Sequence, residues 1–300
     1  RFEGLITKFK INYLRSVIKK YINRENSFDE IKEAAQKIQD LYIKNGFFLA
    51  KAIIPEQQVE DGIILIVVNE GRLDRNKPYK VKGTNLRLYK DLVTEYLDNA
   101  LGGGLTQYGL ERALLNLNDL PGIEAVSTLE KGDEKDSSKI IVEIIENELL
   151  SGNISIDNHG NRYTAKQRST IKIDVNNPSR VGDKLSITKT FNTGTKFDFS
   201  QFDYQIPVGR SGLKTNLSAS SLDFEIGKEL KTNPVSGGDA DTYGIGIEYP
   251  VQRLNDQSIF IKTNFEKKEI YNETSGTPTN DKIIENNELT ISYQSKDKIF

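Results

Sequence analysis

The run Arg168-Ser169-Thr170-Ile171-Lys172-Ile173-Asp174-Val175 decides the architecture of the C-terminal half. Side chains of an extended chain alternate between two faces, so Ser169, Ile171, Ile173 and Val175 share one side and Arg168, Thr170, Lys172 and Asp174 the other. Further along, Tyr243, Ile245, Ile247 and Tyr249 oppose Gly244, Gly246 and Glu248, and Leu289, Ile291 and Tyr293 oppose Thr290, Ser292 and Gln294. Eight such strands are predicted, over residues 150–158, 166–176, 184–192, 196–206, 212–223, 242–251, 257–269 and 286–296.

Every second connection is a compact turn built on Pro or Gly, at 177–183, 206–212 and 250–258, whereas 225–241 and 272–285 read as long polar loops. Short turns at one end, longer loops at the other and strands of about ten residues match an antiparallel transmembrane β-barrel. The longest apolar run, Ile63 to Val68, is far short of the ~20 residues of a membrane helix. With 41 Lys+Arg against 43 Asp+Glu in 300 residues and no basic stripe, nucleic acid is excluded as a partner. The absence of Cys and a single His remove thiol chemistry, disulfides and Cys-based or His-rich metal sites. The sequence has no Met, and Arg1-Phe2-Glu3 has no apolar signal core, so the chain reads as an excised piece.

Upstream of residue 149 the period changes. Ser27-Phe28-Asp29-Glu30 is a capping box. Ile31, Ala34, Ala35, Ile38, Leu41 and Tyr42 follow at helical spacing, and Asn45-Gly46 stops the helix. Phe47 to Ile53 and Ile63 to Asn69 read as strands joined through the Asp61-Gly62 turn. An earlier helix carries Leu14 and Ile18. The same order recurs downstream: a strand at 79–82, helices carrying Leu92 and Leu114, and strands at 123–129 and 140–145. Residues 1–72 and 73–148 are therefore predicted to be two copies of one α+β unit, strand-helix-helix-strand-strand.

These residues carry a family resemblance. Residues 41–73, with Gly46-Phe47, Pro55-Glu56-Gln57, Asp61-Gly62 and Glu70-Gly71, look like the first POTRA domain of two-partner secretion transporters. Leu117-Asn118-Asp119-Leu120-Pro121-Gly122 resembles the second POTRA domain's motif, and Asp157 to Asn161 and Asn177-Pro178 to Leu185 resemble that family's first barrel strands. The resemblance, to the haemolysin secretion and filamentous haemagglutinin transporter type, TpsB, implies an outer-membrane pore without catalysis or cofactor. Its periplasmic POTRA domains bind an unfolded secreted exoprotein, and a sixteen-stranded barrel in contact with outer-membrane lipid exports it. The expected unit is a monomer. The family's plug helix and the second half of its barrel are not in this sequence. Phe300 falls on the polar parity, which argues against a complete eight-stranded barrel.

An exposed sheet edge can pair the backbone of an unfolded chain whatever its side chains. The resemblance puts Phe47 to Ile53 at such an edge, so Phe47, Leu49, Lys51 and Ile53, with Tyr42 walling a groove, are the expected substrate-binding residues; the plain alternative is that Phe47, Leu49 and Ile53 are core. Arg168, Lys172, Asp174, Lys184, Asp198, Lys214 and Lys262 are the expected lining of the conduit, the alternative being the solvated face of a soluble sheet. Asp157 to Asn161, with His159, reads as turn chemistry rather than a catalytic pair, and Gly102-Gly103-Gly104 as a helix connection rather than a phosphate loop. Asp239-Ala240-Asp241 is expected in a loop. A barrel-assembly insertase and a surface adhesin presenting 225–241 and 272–285 are the competing functions.

Overall fold

The computed structural model describes residues 1–102, 104–134, 137–192, 194 and 196–296. Gly103 of the glycine run, part of the 131–138 turn and Phe300 lie outside the described residues. The chain divides into two compact units, one formed by Arg1–Lys82, Leu97–Leu114 and Val126–Glu143, the other by Gly83–Tyr96, Leu115–Ala125 and Ile144–Phe300.

The first unit opens with β1 (Phe2–Leu5), α1 (Ile11–Val17), α2 (Phe28–Lys44), β2 (Lys51–Ile53) and β3 (Ile66–Asn69). Helix α2 starts where the sequence marks it. Ser27 accepts the Glu30 N–H and the Glu30 carboxylate accepts the Ser27 N–H, closing the capping box. Gly46, at φ +88°, ends the helix. Ala34, Ala35, Ile38 and Tyr42 of α2 are buried together with Leu14, Ile66 and Val68 in one core. The sheet runs β1-β3-β2, parallel between β1 and β3 and antiparallel between β3 and β2.

The predicted strand at Phe47–Ile53 shortens to Lys51–Ile53. Phe47 N–H is accepted by Tyr42 O and Ala50 N–H by Phe47 O, so 47–50 is a turn. Phe47 packs instead with Phe9 and Tyr42, at centroid separations of 6.5 and 6.1 Å. The second predicted strand likewise begins only at Ile66, because the side chain of Gln57 takes the place of a strand beside Leu65. It accepts the Leu65 N–H at 2.7 Å and donates to the Leu65 carbonyl at 3.0 Å.

Next come β4 (Arg72–Leu73), β5 (Tyr79–Lys82), α3 (Lys90–Leu101), α4 (Gln107–Asn118), β6 (Ile123–Lys131) and β7 (Ser137–Glu146). Strands β4 and β5 pair with β7 in parallel, and β6 pairs with β7. Leu92, Val93, Leu97, Leu117, Ile140 and Val142 are buried.

In the second unit β8 (Leu150–Asp157), β9 (Arg168–Asn176), β10 (Lys184–Phe191), β11 (Phe197–Pro207), β12 (Lys214–Glu225), β13 (Gly237–Arg253), β14 (Gln257–Thr274) and β15 (Thr277–Ser295) form one antiparallel sheet in sequence order. The last three are far longer than their apolar alternation. The loop predicted at 272–285 is a two-residue turn, Ser275-Gly276, with φ +50° and +73°, the conformation of a tight hairpin. Of 225–241, only 226–236 connects strands, and Asp239 and Asp241 lie in β13. Polar strand ends have no apolar period to announce them, which is why they read as loops.

Candidate functional site

Two surfaces follow from the folded elements: a free strand edge in the first unit and a two-sided sheet in the second.

The edge belongs to β2, which among the described residues pairs only with β3, in the register Lys51↔Asn69, Ala52↔Val68, Ile53↔Val67. Ala52 is buried under α2, and its N–H is accepted by the side chain of Gln39 on α2 at 3.3 Å rather than by a strand. Gln39 gives no signal in the sequence, since one polar residue on a helix flank looks like solvent-facing filler. On the sheet face away from Ala52, Leu49, Lys51, Ile53, Val67, Asn69 and Gly71, with Ser137 and Ser138, line a groove of about 370 Å³. Lys51 and Ile53 are exposed there. Leu49 reaches the groove from the turn. Its Cβ crowds Gly71 so closely that a Cβ at 71 would stand 2.6 Å away.

Tyr42 does not wall this groove. It is wholly buried, and its hydroxyl donates to Glu70 Oε1 at 2.9 Å. Burial first, then the neighbouring carboxylate, push the phenol well above its ordinary range. Glu70 also accepts the Thr7 and Lys8 N–H groups, each at 2.8 Å, and the Thr7 hydroxyl at 2.6 Å. Phe47 is half-buried and packs against the same core.

In the second unit the strand registers assign every side chain to a face. Across from one another on one face stand Ile173 and Ile187, then Phe202 and Ala219 with Tyr243; Leu217 stands beside Ile245 and Phe265, and Ile261 beside Ile291. These side chains are exposed, Ile156 to 78% and Ile291 to 68%. Exposed apolar residues on a single sheet face are too many for a surface in water. The opposite face carries Arg168, Lys172, Asp174, Lys184, Lys214 and Lys262, among Ser, Thr, Asn and Gln. Arg168 pairs with Asp157 at 3.0 Å and Lys184 with Asp174 at 3.4 Å, while Lys214 donates to the Asp119 carbonyl at 2.8 Å. Gly246 leaves the wall recessed beside Asn216, Glu248 and Lys262, where a hollow of about 680 Å³ opens.

Asp198 does not belong to this lining. Its cross-strand partners are Phe191 and Asp223, which puts it on the same side as Ile187 and Phe202. It lies past the end of the apolar rows, where Lys189, Asp223, Asp241, Lys267 and Glu269 replace hydrocarbon on that face. Asp198 pairs there with Lys189. Parity within one strand does not carry to the next, and the β10–β11 register, which sets Asp198 across from Phe191, reverses the assignment.

Comparison with known proteins bears on the family and the fold. Residues 136–296 match the family described as haemolysin secretion/activation protein ShlB/FhaC/HecB, and residues 1–71 match the ShlB-type POTRA domain. The heme/hemopexin transporter protein HuxB of Haemophilus influenzae is 24% identical over 255 residues, 84% of this chain and 44% of that protein. The outer membrane transporter CdiB of Dickeya dadantii is 20% identical over 287 residues, 92% of this chain and 49% of that protein. The chain thus spans about half the length of the curated relatives it matches. Among solved structures, CdiB from Escherichia coli superposes with a TM-score of 0.78 at 16% identity, covering 99% of this chain and 56% of that one. CdiB from Acinetobacter baumannii gives 0.68 at 15% identity, covering 98% and 58%. At these identities the likeness is one of fold: POTRA followed by a large antiparallel sheet of the outer-membrane barrel type.

Proposed function

Because the chain belongs to the ShlB/FhaC/HecB family of haemolysin secretion/activation proteins, we propose that it forms part of an outer-membrane transporter of two-partner secretion. Residues 1–72 and 73–148 are two periplasmic POTRA domains that capture an unfolded exoprotein. Residues 149–300 are the first eight strands of a sixteen-stranded barrel through which it leaves. The transporter acts as a monomer, with neither catalysis nor cofactor.

The observation that carries this reading is the division of the eight-stranded sheet into an exposed hydrocarbon face and a face of paired charges and hydroxyls. In lipid the first is satisfied by acyl chains, at about 25 cal/mol per Å² of apolar surface removed from water. The second keeps a conduit wet. Its lysines are mostly held by carboxylates or carbonyls, so a passing chain meets alternating charge and no deep binding site.

Capture uses main-chain pairing. An arriving strand offers a carbonyl to the Ala52 N–H in place of Gln39, and its side chains enter the groove beside Lys51 and Ile53. Pairing of this kind is indifferent to cargo sequence, while the groove selects for alternating apolar residues.

Ala52→Pro in the full-length transporter removes the one outward donor and keeps a small side chain. Binding of the urea-unfolded secretion domain should fall at least about tenfold, the loss of one charge-free hydrogen bond plus the steric block to pairing. Undiminished binding by a folded variant would refute capture at β2.

A further inference from the structure

The segment Leu117-Asn118-Asp119-Leu120-Pro121-Gly122 takes no part in the edge or the conduit wall, yet the strand connections at one end of the sheet converge on it. Asn118 folds it back on itself, its side chain bonding the Ala125 N–H at 2.7 Å and the Ala125 carbonyl at 3.0 Å. Gly122 makes the reversal at φ +72°.

Three connections meet the resulting loop. Leu120, buried, lies against Gly182 of the 177–183 connection, so closely that a Cβ on Gly182 would stand 2.8 Å from Leu120 Cδ1. Lys214, just past the 208–213 connection, donates to the Asp119 carbonyl at 2.8 Å. Arg253, just before the 254–256 connection, donates Nε and Nη2 to the two carboxylate oxygens of Asp119, both at 2.8 Å. Its remaining Nη1 donates to Ser258 Oγ at 3.1 Å.

Two further arginines act nearby. Arg180 donates to the Arg87 carbonyl at 2.7 Å and lies 4.6 Å over the Tyr89 ring, and Arg210 pairs with Glu95 at 2.6 Å. These contacts are not equal. Glu95 is 54% exposed, and such pairs contribute little. The Arg253 and Asp119 side chains are 19% and 23% exposed, and their two parallel bonds fix both distance and angle. A planar fork holds this geometry and an ammonium does not.

We propose that Asp119 is a positioning residue: through its bidentate pair with Arg253 it pins the 115–125 loop to the short-turn end of the sheet and so fixes the approach to the conduit. Losing either partner leaves the other a part-buried charge without its counter-ion, which opens the joint. This inference concerns alignment and is independent of what β2 binds.

This chain contains no cysteine, so in a full-length transporter cleared of any cysteine elsewhere, two can be introduced at the exposed positions Lys90 and Val208 for spin labelling. The parent should give one narrow distance distribution. Asp119→Asn and, separately, Arg253→Gln should raise the population outside that peak on the order of tenfold. The exchanged pair, Asp119→Arg with Arg253→Asp, should recover most of the narrow peak, whereas Arg253→Lys should recover only part. Arg253→Gln alters no residue of the 115–125 loop, so it reads the joint even where an Asp119 variant fails to fold. A narrow peak that persists in the folded single variants overturns the proposal. So does an exchanged pair as broad as the singles.

Discussion

Glu70 and Glu146 occupy matching places in the two repeats, and their different partners show how one device was put to two uses. Each follows or ends the central strand of its sheet, and each accepts two consecutive N–H groups from the segment after the first strand of its repeat. For Glu70 these are Thr7 and Lys8; for Glu146 they are Arg87 and Leu88, at 2.8 and 2.6 Å. The remaining capacity is spent differently. Glu70 turns inward, to the Tyr42 hydroxyl within its own core. Glu146 accepts the Asn177 side-chain amide at 3.1 Å, the first residue after β9. Asn177 in turn holds Gly182 N–H at 2.7 Å and adopts φ +57°, which Asn tolerates better than most residues. The first copy closes on itself. The second reaches onward into the sheet connections, as Asp119 does beside it.

Removing the carboxylates separately tests this division. Glu70→Ala carries the largest expected effect, because two N–H groups, a threonine hydroxyl and the Tyr42 hydroxyl lose a buried acceptor together. Local stability should fall by about 3–5 kcal/mol, seen as faster amide exchange at Thr7 and Lys8 with Arg87 and Leu88 unchanged. Acid should mimic it. Burial raises the Glu70 carboxyl, but the donors from Thr7, Lys8 and Tyr42 outweigh burial and hold it below its ordinary value of 4.5. Its contribution is therefore complete above about pH 4.5 and is lost as pH falls through the depressed value. Protection at Thr7 and Lys8, corrected for intrinsic exchange, that did not weaken with acid would contradict this sign.

Glu146→Ala should cost less, about 2–3 kcal/mol, since it strands two N–H groups and one side-chain amide where Glu70 also holds two hydroxyls. Its signature is different in place rather than in kind: exchange should rise at Arg87 and Leu88 and also at Gly182, across the Asn177 link. If the Gly182 amide stays protected, the outward reach of the second clasp has no energetic content.

How much of this could be read beforehand follows the range of the forces involved. The capping box at Ser27, the Asp61-Gly62 reversal and the two faces around Ile173 and Ile245 are short-range patterns, and the chain folds as they read. Lys51 and Ile53 are exposed for the same reason: alternation from the buried Ala52 settles their direction. What escaped notice depends on contacts distant in sequence. Phe47 and Tyr42 look like edge and groove until Phe9 and Glu70, far along the chain, draw them into the core. Asp198 changes face because the register across one connection, not the strand's own pattern, sets its side. The ends of β13, β14 and β15 extend past the apolar rows on backbone pairing alone, which leaves no periodic trace.

The smallest effect separates the two repeats most finely. Strand β6, the second repeat's counterpart of β2, runs for nine residues, with Glu124, Glu130 and Lys131 exposed along it. Such charges are a usual protection against unwanted pairing. Strand β2 has three residues and one exposed charge, Lys51, and its outward N–H is covered by Gln39. A neutral hydrogen bond at 3.3 Å contributes under about 1 kcal/mol, so Gln39→Ala should barely change stability. An arriving strand would then no longer have to displace an amide, and its affinity should rise by up to about fivefold. If Gln39 instead contacted the arriving strand, the same substitution would weaken binding. The sign of the change in Kd, measured with the Ala52→Pro variant as the unpaired reference, therefore distinguishes a guard that yields its place from a contact that stays.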